Sequence, residues 1–200
     1  MEYKVPDYKN DDGFWVKSFS TPDDHFRTKS SVTWGSMNTR CKSGGMCQVR
    51  QPTYIGCSMS DNFKDFQYFT DWYTEQIGYD FEDYHLDKDI LVKGNKIYSE
   101  DICVLVPAKL NTFFISCQAA RGVWPRGVSF HRRTLTYDAK ISIDGNYRKH
   151  LGCYSNPEDA SQAYITAKEA EGRRWYDRLV NKEFIVDDRV IEIMSKWTVN

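Results

Sequence analysis

Residues 127–164, GVSFHRRTLTYDAKISIDGNYRKHLGCYSNPEDASQAY, contain three segments in which apolar and polar side chains alternate. A period of two places successive side chains on opposite faces of a β-strand. The Asp-Gly-Asn sequence at 144–146 is typical of a tight hairpin turn. The stretch therefore predicts three antiparallel strands that form a sheet with one apolar face and one polar face.

The polar face of this predicted sheet is cationic. Arg126 comes just before the first strand, and the alternation places these side chains opposite the apolar ones: Ser129, His131, Arg133, Lys140, Ser142, Arg148 and His150. Arginine and lysine bind phosphates and guanine edges, and the DNA major groove admits a β-ribbon. A solvated sheet face also carries charge, so the pattern alone leaves both interpretations open.

The segment that follows predicts a helix covering the apolar face. Its start carries capping and first-turn signals, namely Ser155 or Asn156, Pro157, Glu158 and Asp159. A stripe of small side chains, interrupted by one tyrosine, would let the helix lie close to the sheet: Ala160, Ala163, Tyr164 and Ala167. A second amphipathic pattern over residues 171–200 predicts a helical extension, namely a helix that continues the preceding unit and a short terminal helix that docks onto it.

Charge is distributed unevenly along the 200 residues. The chain has 27 basic and 28 acidic side chains, a formal charge of -1, but residues 121–150 sum to +5 and the remainder to -6. The near-neutral total therefore does not exclude nucleic acid as a partner. No apolar run approaches the roughly 20 residues that span a bilayer, and residues 1–15 lack the apolar core of a signal peptide. We expect a cytoplasmic protein with no membrane partner.

The six cysteines show no paired CxxC spacing. In a chain without an export signal we expect free, reduced thiols. A four-thiolate zinc site is the alternative, with the ligands Cys41, Cys47, Cys57 and Cys103. Small buried side chains are the preferred interpretation, and zinc is not the expected cofactor.

The N-terminal half reads as an extended arm over 1–30, with a strand around 14–19, followed by helical patterns. Trp34, Met37 and Cys41 form one helical stripe, which a glycine pair interrupts. A second helix, rich in aromatic residues, is predicted from an N-cap at Asp61 to Gly78. Residues 84–99 predict two short strands around a Gly-Asn turn, and Ser99 opens a short helix or turn.

Four motifs in the C-terminal half occur in a characteristic order: GVSFH, YDAKI, KHLGCY and PEDASQAY. Together they resemble the Apetala/ethylene-response-factor (AP-two/ERF) DNA-binding domain over residues 121–170. Tyr137 stands where that family usually has tryptophan, and Tyr154 where it has phenylalanine. The resemblance implies binding of double-stranded DNA in the major groove by the sheet face already described.

The preceding half of the chain contains the segments WGSMNTRC, PTYIGC, FKDFQYFTDW and LDKDILVKGNKIYSEDICVLVP with a trailing Asn. These segments look like bacteriophage HNH-type endonucleases, many of which carry an Apetala-type domain after the nuclease module, in this order. The resemblance assigns a nuclease domain to 31–118 and implies a ββα-metal unit within an α+β fold. It also implies Mg²⁺ or Mn²⁺ as cofactor, with Asp87, Asp101 and Asn111 at the motif's positions for ligands and Asp89 as a further candidate ligand. The predicted catalytic residues are Asp87 and Asn95 from the motif, together with His85 and Lys88. A solvated turn formed by Asp87, Lys88 and Asp89 is the alternative. No small-molecule cofactor is expected.

Lys88 departs from the HNH motif, which has its general-base histidine there. An unperturbed lysine has a pKa near ~10.4, so it is a cation at neutral pH and a poor base. His85 shares a strand face with Asp87 and is the predicted substitute. A phage homing-type DNA endonuclease acting in the host cytoplasm is the first hypothesis. A decayed HNH fold that binds DNA, as a regulator or as an inhibitor of a host enzyme, is the second, and an acidic DNA mimic that binds protein is a weaker third. Whether the chain is a monomer or a dimer stays open.

Overall fold

A computed structural model describes residues 29–115, 123–144 and 147–199, apart from the side chain of Tyr147. In this part of the chain seven α-helices and seven strands form an α+β fold, as predicted. The chain divides into two compact units. The first holds the described residues up to Glu82 together with Leu86–Leu105, and the second holds Asp83–His85 and the described residues from Val106 onward. Three predicted features lie outside the described residues: residues 1–28 of the arm predicted over 1–30, the Gly-Asn part of the 144–146 turn and the boundary at 118–121. The arm prediction is wrong at its end, because Lys29 and Ser30 belong to the first helix.

Residues 29–107 begin with two helices that flank the predicted glycine pair, Gly44 and Gly45, and continue to the two strands, Tyr84–Asp87 and Val104–Pro107, at which the chain passes between the units. The elements are α1 (Lys29–Cys41), α2 (Met46–Arg50), β1 (Ser58–Met59), α3 (Asp61–Lys64), α4 (Phe66–Glu75), β2 (Tyr84–Asp87), β3 (Ile97–Tyr98) and β4 (Val104–Pro107). A single 3₁₀ turn covers Pro52–Tyr54. Phe63, Phe69 and Tyr73 of the aromatic-rich stretch are buried together with Met37 of α1, so they form part of the core of the first unit.

The single aromatic helix predicted from Asp61 to Gly78 is wrong, because it is two helices. Asp65 has extended backbone angles, and its carboxylate accepts a hydrogen bond from the Tyr68 amide, which starts α4 anew. The cap of α3 is Ser60 rather than Asp61, since the Ser60 hydroxyl accepts from the Phe63 amide. The second helix ends at Glu75, before Gly78.

The hairpin predicted around the Gly-Asn turn is also wrong. β2 pairs with β4, whereas β3 pairs in parallel with β1. The reason lies at the end of β2, where the Asp87 carboxylate accepts hydrogen bonds from the Asp89 and Ile90 amides and turns the chain. This Asx-type turn ends the strand before a two-residue hairpin can form.

The second unit contains the predicted sheet and its covering helix. Its elements from Val106 onward, after β4, are α5 (Ala108–Phe114), β5 (Val128–His131), β6 (Thr136–Ile143), β7 (Tyr147–Tyr154), α6 (Pro157–Val180) and α7 (Asp188–Ser195). The three strands are antiparallel in the order β5-β6-β7. Ala139 and Ile141 of β6 are buried where α6 packs, together with Ala160 and Tyr164 of the helix.

The helix α6 is longer than the predicted covering segment. It runs without a break for 24 residues, so the predicted continuing helix is part of α6 itself, and the predicted short terminal helix is α7. Its N-cap is Asn156, whose side-chain oxygen accepts from the Asp159 amide. Trp175 and Leu179 are buried near its end, and α7 packs beside it. No helix among the described residues is both long and apolar enough to cross a membrane.

Candidate nucleic-acid interface

The sheet face opposite α6 carries most of the predicted DNA-binding side chains. Lys140 lies directly opposite His150, and Ser142 lies opposite Arg148, in the antiparallel pair of β6 and β7. Side chains at opposed positions share a face. These four residues, like Ser129 and His131 of β5, are exposed. The structure therefore brings six of the predicted residues together on one solvent-facing surface, which we call the basic face: Ser129, His131, Lys140, Ser142, Arg148 and His150.

Two predicted DNA-binding residues lie elsewhere. β5 ends at His131, so Arg133 belongs to the exposed turn before β6 and not to the face of the sheet, where strict alternation placed it. Arg126 donates a hydrogen bond to the Ile115 carbonyl at 2.7 Å, and its guanidinium lies 6.0 Å from the centre of the Tyr164 ring. Arg126 therefore holds the chain before β5 against α6.

A β-bulge interrupts the alternation in β7. Ala139 lies opposite Gly152, yet the next residue of β6, Lys140, lies opposite His150, so Leu151 is an extra residue in its strand. Gly152 has φ of +147°, a backbone angle that favours glycine. A glycine inside a strand pattern is the one sequence signal that could have indicated this bulge.

The bulge changes the face on which Cys153 lies. Strict alternation from His150 would put Cys153 on the other side of the sheet, whereas Cys153 is exposed and lies opposite Asp138. The Cys153 thiol donates to the Asp138 carboxylate, and this bond and the nearby Lys140 ammonium keep the pKa of Asp138 below its usual value. Sequence analysis missed Asp138 and Cys153 as members of the basic face.

Four predicted nuclease residues are brought together in the loop after β2, where they hydrogen-bond to one another. The buried Lys88 ammonium lies 2.6 Å from both the Asp89 carboxylate and the Asn95 carbonyl. The Asn95 amide donates back to the Lys88 carbonyl and to the Ile97 carbonyl. Asp87 caps the loop start, and burial raises its pKa. These contacts organise the loop, and they leave the Lys88 ammonium bound to two oxygens.

The other predicted nuclease residues lie apart from this loop in the chain. His85 is exposed on β2 and belongs to the second unit, as does Asn111 within α5. Asp101 lies in the turn between β3 and β4, so of the two predicted alternatives, a short helix or a turn, the structure has the turn. Asp87, Asp89 and Asp101 do not form a group with carboxylate oxygens within 4.8 Å of one another, and neither do the thiols of the four-cysteine zinc alternative.

No protein-family model, curated protein or solved structure matches this chain. Its function is therefore inferred from the placement and chemistry of its own side chains. The basic face is the largest set of predicted functional residues that the structure assembles.

Beneath the sheet, α6 buries a lysine that sequence analysis did not single out. Lys168 is 4% exposed and donates to the Phe113 carbonyl at 2.8 Å, with its ammonium 3.5 Å from the centre of the Phe113 ring. Burial lowers the pKa of Lys168 to about 7; the charge of Arg126 adds to this effect and that of Glu171 opposes it.

We expect this lysine to make stability depend on pH. The unfolded chain, with a lysine pKa near ~10.4, binds more protons than the folded chain above about pH 7, so the free energy of unfolding rises with pH on the order of 1 kcal/mol per unit. Burial raises the pKa of Cys41 and of Cys103 to about 12, so these thiols keep their protons in the folded chain. In the unfolded chain they ionise near pH ~9, which favours unfolding and ends the rise. Urea denaturation of Lys168→Met should show a flat profile over this window. Lys109→Met, an exposed lysine of α5, should keep the slope.

Proposed function

We propose that this protein binds double-stranded DNA through the basic face. The observation that carries the proposal is the pairing of Lys140 with His150 and of Ser142 with Arg148 on two adjacent strands, with α6 on the opposite side. Neighbouring strands lie about 4.8 Å apart, so a face of two to three strands fits a major groove about 12 Å wide. The surface therefore combines the width and the charge that groove binding needs.

The charge balance of the unit supports the same proposal. Both acidic residues of the segment 121–150 are paired, Asp138 with Lys140 and Asp144 with Arg174 and Arg178. Three exposed cations on the basic face or in the turn beside it form no ion pair with any described residue: Arg132, Arg133 and Arg148. Unpaired cations are available to neutralise phosphates, which supplies most of non-specific DNA affinity. The four motifs shared with Apetala-type domains lie in this unit and favour the same partner.

The test is DNA affinity measured by fluorescence anisotropy on a duplex over a range of salt concentrations. We expect wild-type affinity to fall steeply with salt, and Arg148→Ala to weaken binding about five- to tenfold and to reduce the salt slope by about one. Lys196→Ala removes an exposed cation that directly follows α7 and is paired with Glu192, and it should leave affinity unchanged. Equal losses in both variants, or no binding by the wild type, would contradict the proposal.

DNA cleavage is a second candidate, favoured by the carboxylate of Asp87. Its Oδ1 caps the loop, whereas no described residue donates a hydrogen bond to its Oδ2. Burial raises the pKa of Asp87, and a cation bound to the carboxylate would lower that pKa again. The residues fit a magnesium or manganese centre only in part, because Asp89 is paired with Lys88. Asp87 Oδ2 would supply the first ligand, and the ion would stabilise charge on a scissile phosphate.

A plasmid-nicking assay with Mg²⁺ or Mn²⁺ separates the two hypotheses on activity. If the protein is an endonuclease that acts in the host cytoplasm, the purified wild type should nick the plasmid only with the metal. Asp87→Asn, which keeps the Oδ1 acceptor but removes the charge, should abolish nicking, and His85→Ala should reduce it. Asp61→Asn changes a highly exposed carboxylate paired with Lys64 and should nick normally. DNA binding without any metal-dependent nicking would instead establish the decayed fold, a DNA-binding regulator or inhibitor.

A further inference from the structure

We propose that Asp138, His150 and Cys153 form a binding site for one zinc ion on the sheet of the second unit. It goes beyond DNA binding and does not depend on it. Among the described residues these three are the one group of three or more His, Cys, Asp or Glu side chains whose ligand atoms all lie within 4.8 Å of one another. Neither the sequence motifs nor the proposed interface requires the group.

The distances suit a tetrahedral ion. The Cys153 sulfur lies 3.2 Å from Asp138 Oδ1 and 3.7 Å from His150 Nε2. Zinc bound to sulfur at about 2.3 Å and to nitrogen or oxygen at about 2.0–2.1 Å holds such ligand atoms roughly 3.3–3.6 Å apart. The two distances from the Cys153 sulfur are therefore close to those of a bound ion, and all three ligand atoms already lie within 4.8 Å of one another.

The bulge in β7 is what assembles the ligands. His150 and Cys153 are three positions apart, a spacing that a regular strand would split between its two faces. The extra Leu151 reverses the alternation, so both side chains project from the same face, with Asp138 directly across from Cys153. Hydrogen-bonded strands hold all three backbones, so the group is positioned before any ion binds.

The ligand chemistry selects the metal. A thiolate and an imidazole favour zinc or a similar borderline ion, whereas magnesium takes oxygen ligands. Three protein ligands leave the fourth position for water or for another donor. The group would also be a poor cysteine–histidine nucleophile, because Asp138 binds the thiol itself and raises its pKa.

Metal binding must release the thiol proton. Without metal, the Cys153 S–H donates to Asp138; on binding, the S–H bond breaks, the S–Zn bond forms and the proton passes to solvent. Zinc affinity should therefore rise with pH. The charged and titratable groups that face the site are Lys140, 3.3 Å from Asp138 Oδ2, and His131, and both oppose a cation when protonated.

Cobalt(II) is the probe, because thiolate coordination gives a charge-transfer band and a tetrahedral site gives intense visible bands. We expect the wild-type protein, reduced with a non-thiol reagent, to bind one Co²⁺ that Zn²⁺ displaces, more tightly at higher pH. Cys153→Ser should lose the charge-transfer band, and His150→Gln and Asp138→Asn should weaken binding at least about tenfold. Absence of the band in the wild type would overturn the proposal.

Matched controls keep the test specific. His131→Gln changes a histidine on the same face that bonds Thr134, and Cys47→Ser changes a thiol of the first unit; both should keep the band. Zinc should raise the melting temperature of the wild type but not of Cys153→Ser or His150→Gln, provided that far-UV circular dichroism shows each variant folded. A band that persists in folded Cys153→Ser would refute the site. If Cys153→Ser does not fold, the other two ligand variants decide the question. Folded His150→Gln and Asp138→Asn that both bind Co²⁺ with wild-type affinity would also refute the site.

Discussion

Gly127→Ala should destabilise the second unit by about 2–5 kcal/mol, and the variant should lose DNA binding at temperatures above its lowered melting temperature. A Cβ built on Gly127 would lie 1.9 Å from Tyr164 Cδ2 and 2.5 Å from two further atoms of that ring. Tyr164 is buried under the sheet, so its ring cannot move without opening the contact between α6 and the strands. Forced overpacking costs about 1–3 kcal/mol, and a left-handed backbone angle adds about 1–2.

Gly94→Ala is the matched control, because Gly94 has the same φ of +76° as Gly127 but no heavy atom within 4 Å of the Cβ position. It should show only the backbone cost of about 1–2 kcal/mol. Urea denaturation followed by circular dichroism, together with hydrogen exchange of the sheet amides, measures both variants. Equal destabilisation of the two would show that the overlap with Tyr164 is relieved at no cost.

Phe63→Ala should destabilise the first unit by about 3–5 kcal/mol, as expected for a fully buried phenylalanine. The Phe63 ring is 0% exposed and packs 5.1 Å from the Phe69 ring and 4.7 Å from the Trp72 ring, between centres. Its backbone carbonyl also accepts a hydrogen bond from the Trp34 indole at 2.9 Å. The deletion leaves a cavity where α1, α3 and α4 meet.

Tyr68→Ala provides the comparison, since Tyr68 is an aromatic residue of the same stretch that is 42% exposed. It should cost about 1 kcal/mol or less. Urea denaturation followed by the fluorescence of the six tryptophans, Trp34 and Trp72 among them, measures the loss of stability, and hydrogen exchange localises it to α1 and α4. A similar cost for both variants would mean that Phe63 is not the centre of this core.

The two units differ in how much of them could be predicted. In the second unit each strand of the sheet has its own alternating pattern, and the covering helix has its own cap and small-residue stripe, so local signals suffice. In the first unit β1 pairs with β3, and the paired residues Ser58 and Ile97 are 39 positions apart in the sequence. No local pattern specifies that partner. The hairpin prediction failed because the Asx turn at Asp87 ends β2 and because the partner that β3 takes instead is distant in sequence.

The candidate nuclease residues show a related limit. Asp87, Lys88, Asp89 and Asn95 match a motif, but carboxylate and amide groups serve equally well as ligands or as partners of backbone groups. Only the folded loop shows that Lys88 is buried against Asp89 and Asn95 and that Asp87 caps two amides. Motif spacing shows which side chains are close in sequence, but it does not show which atoms form hydrogen bonds or ion pairs with them.

By itself the sequence determined the α+β class, the three-stranded sheet and the face that carries Lys140, Arg148 and His150, because a two-residue period and a helical stripe are properties of short segments. Only the tertiary structure decided the bulge at Leu151, the return of Cys153 to the basic face and the burial of Lys168. Each depends on how two elements align with one another. Strand register and helix packing are set by contacts between segments, so the groups they assemble become visible only in the folded chain.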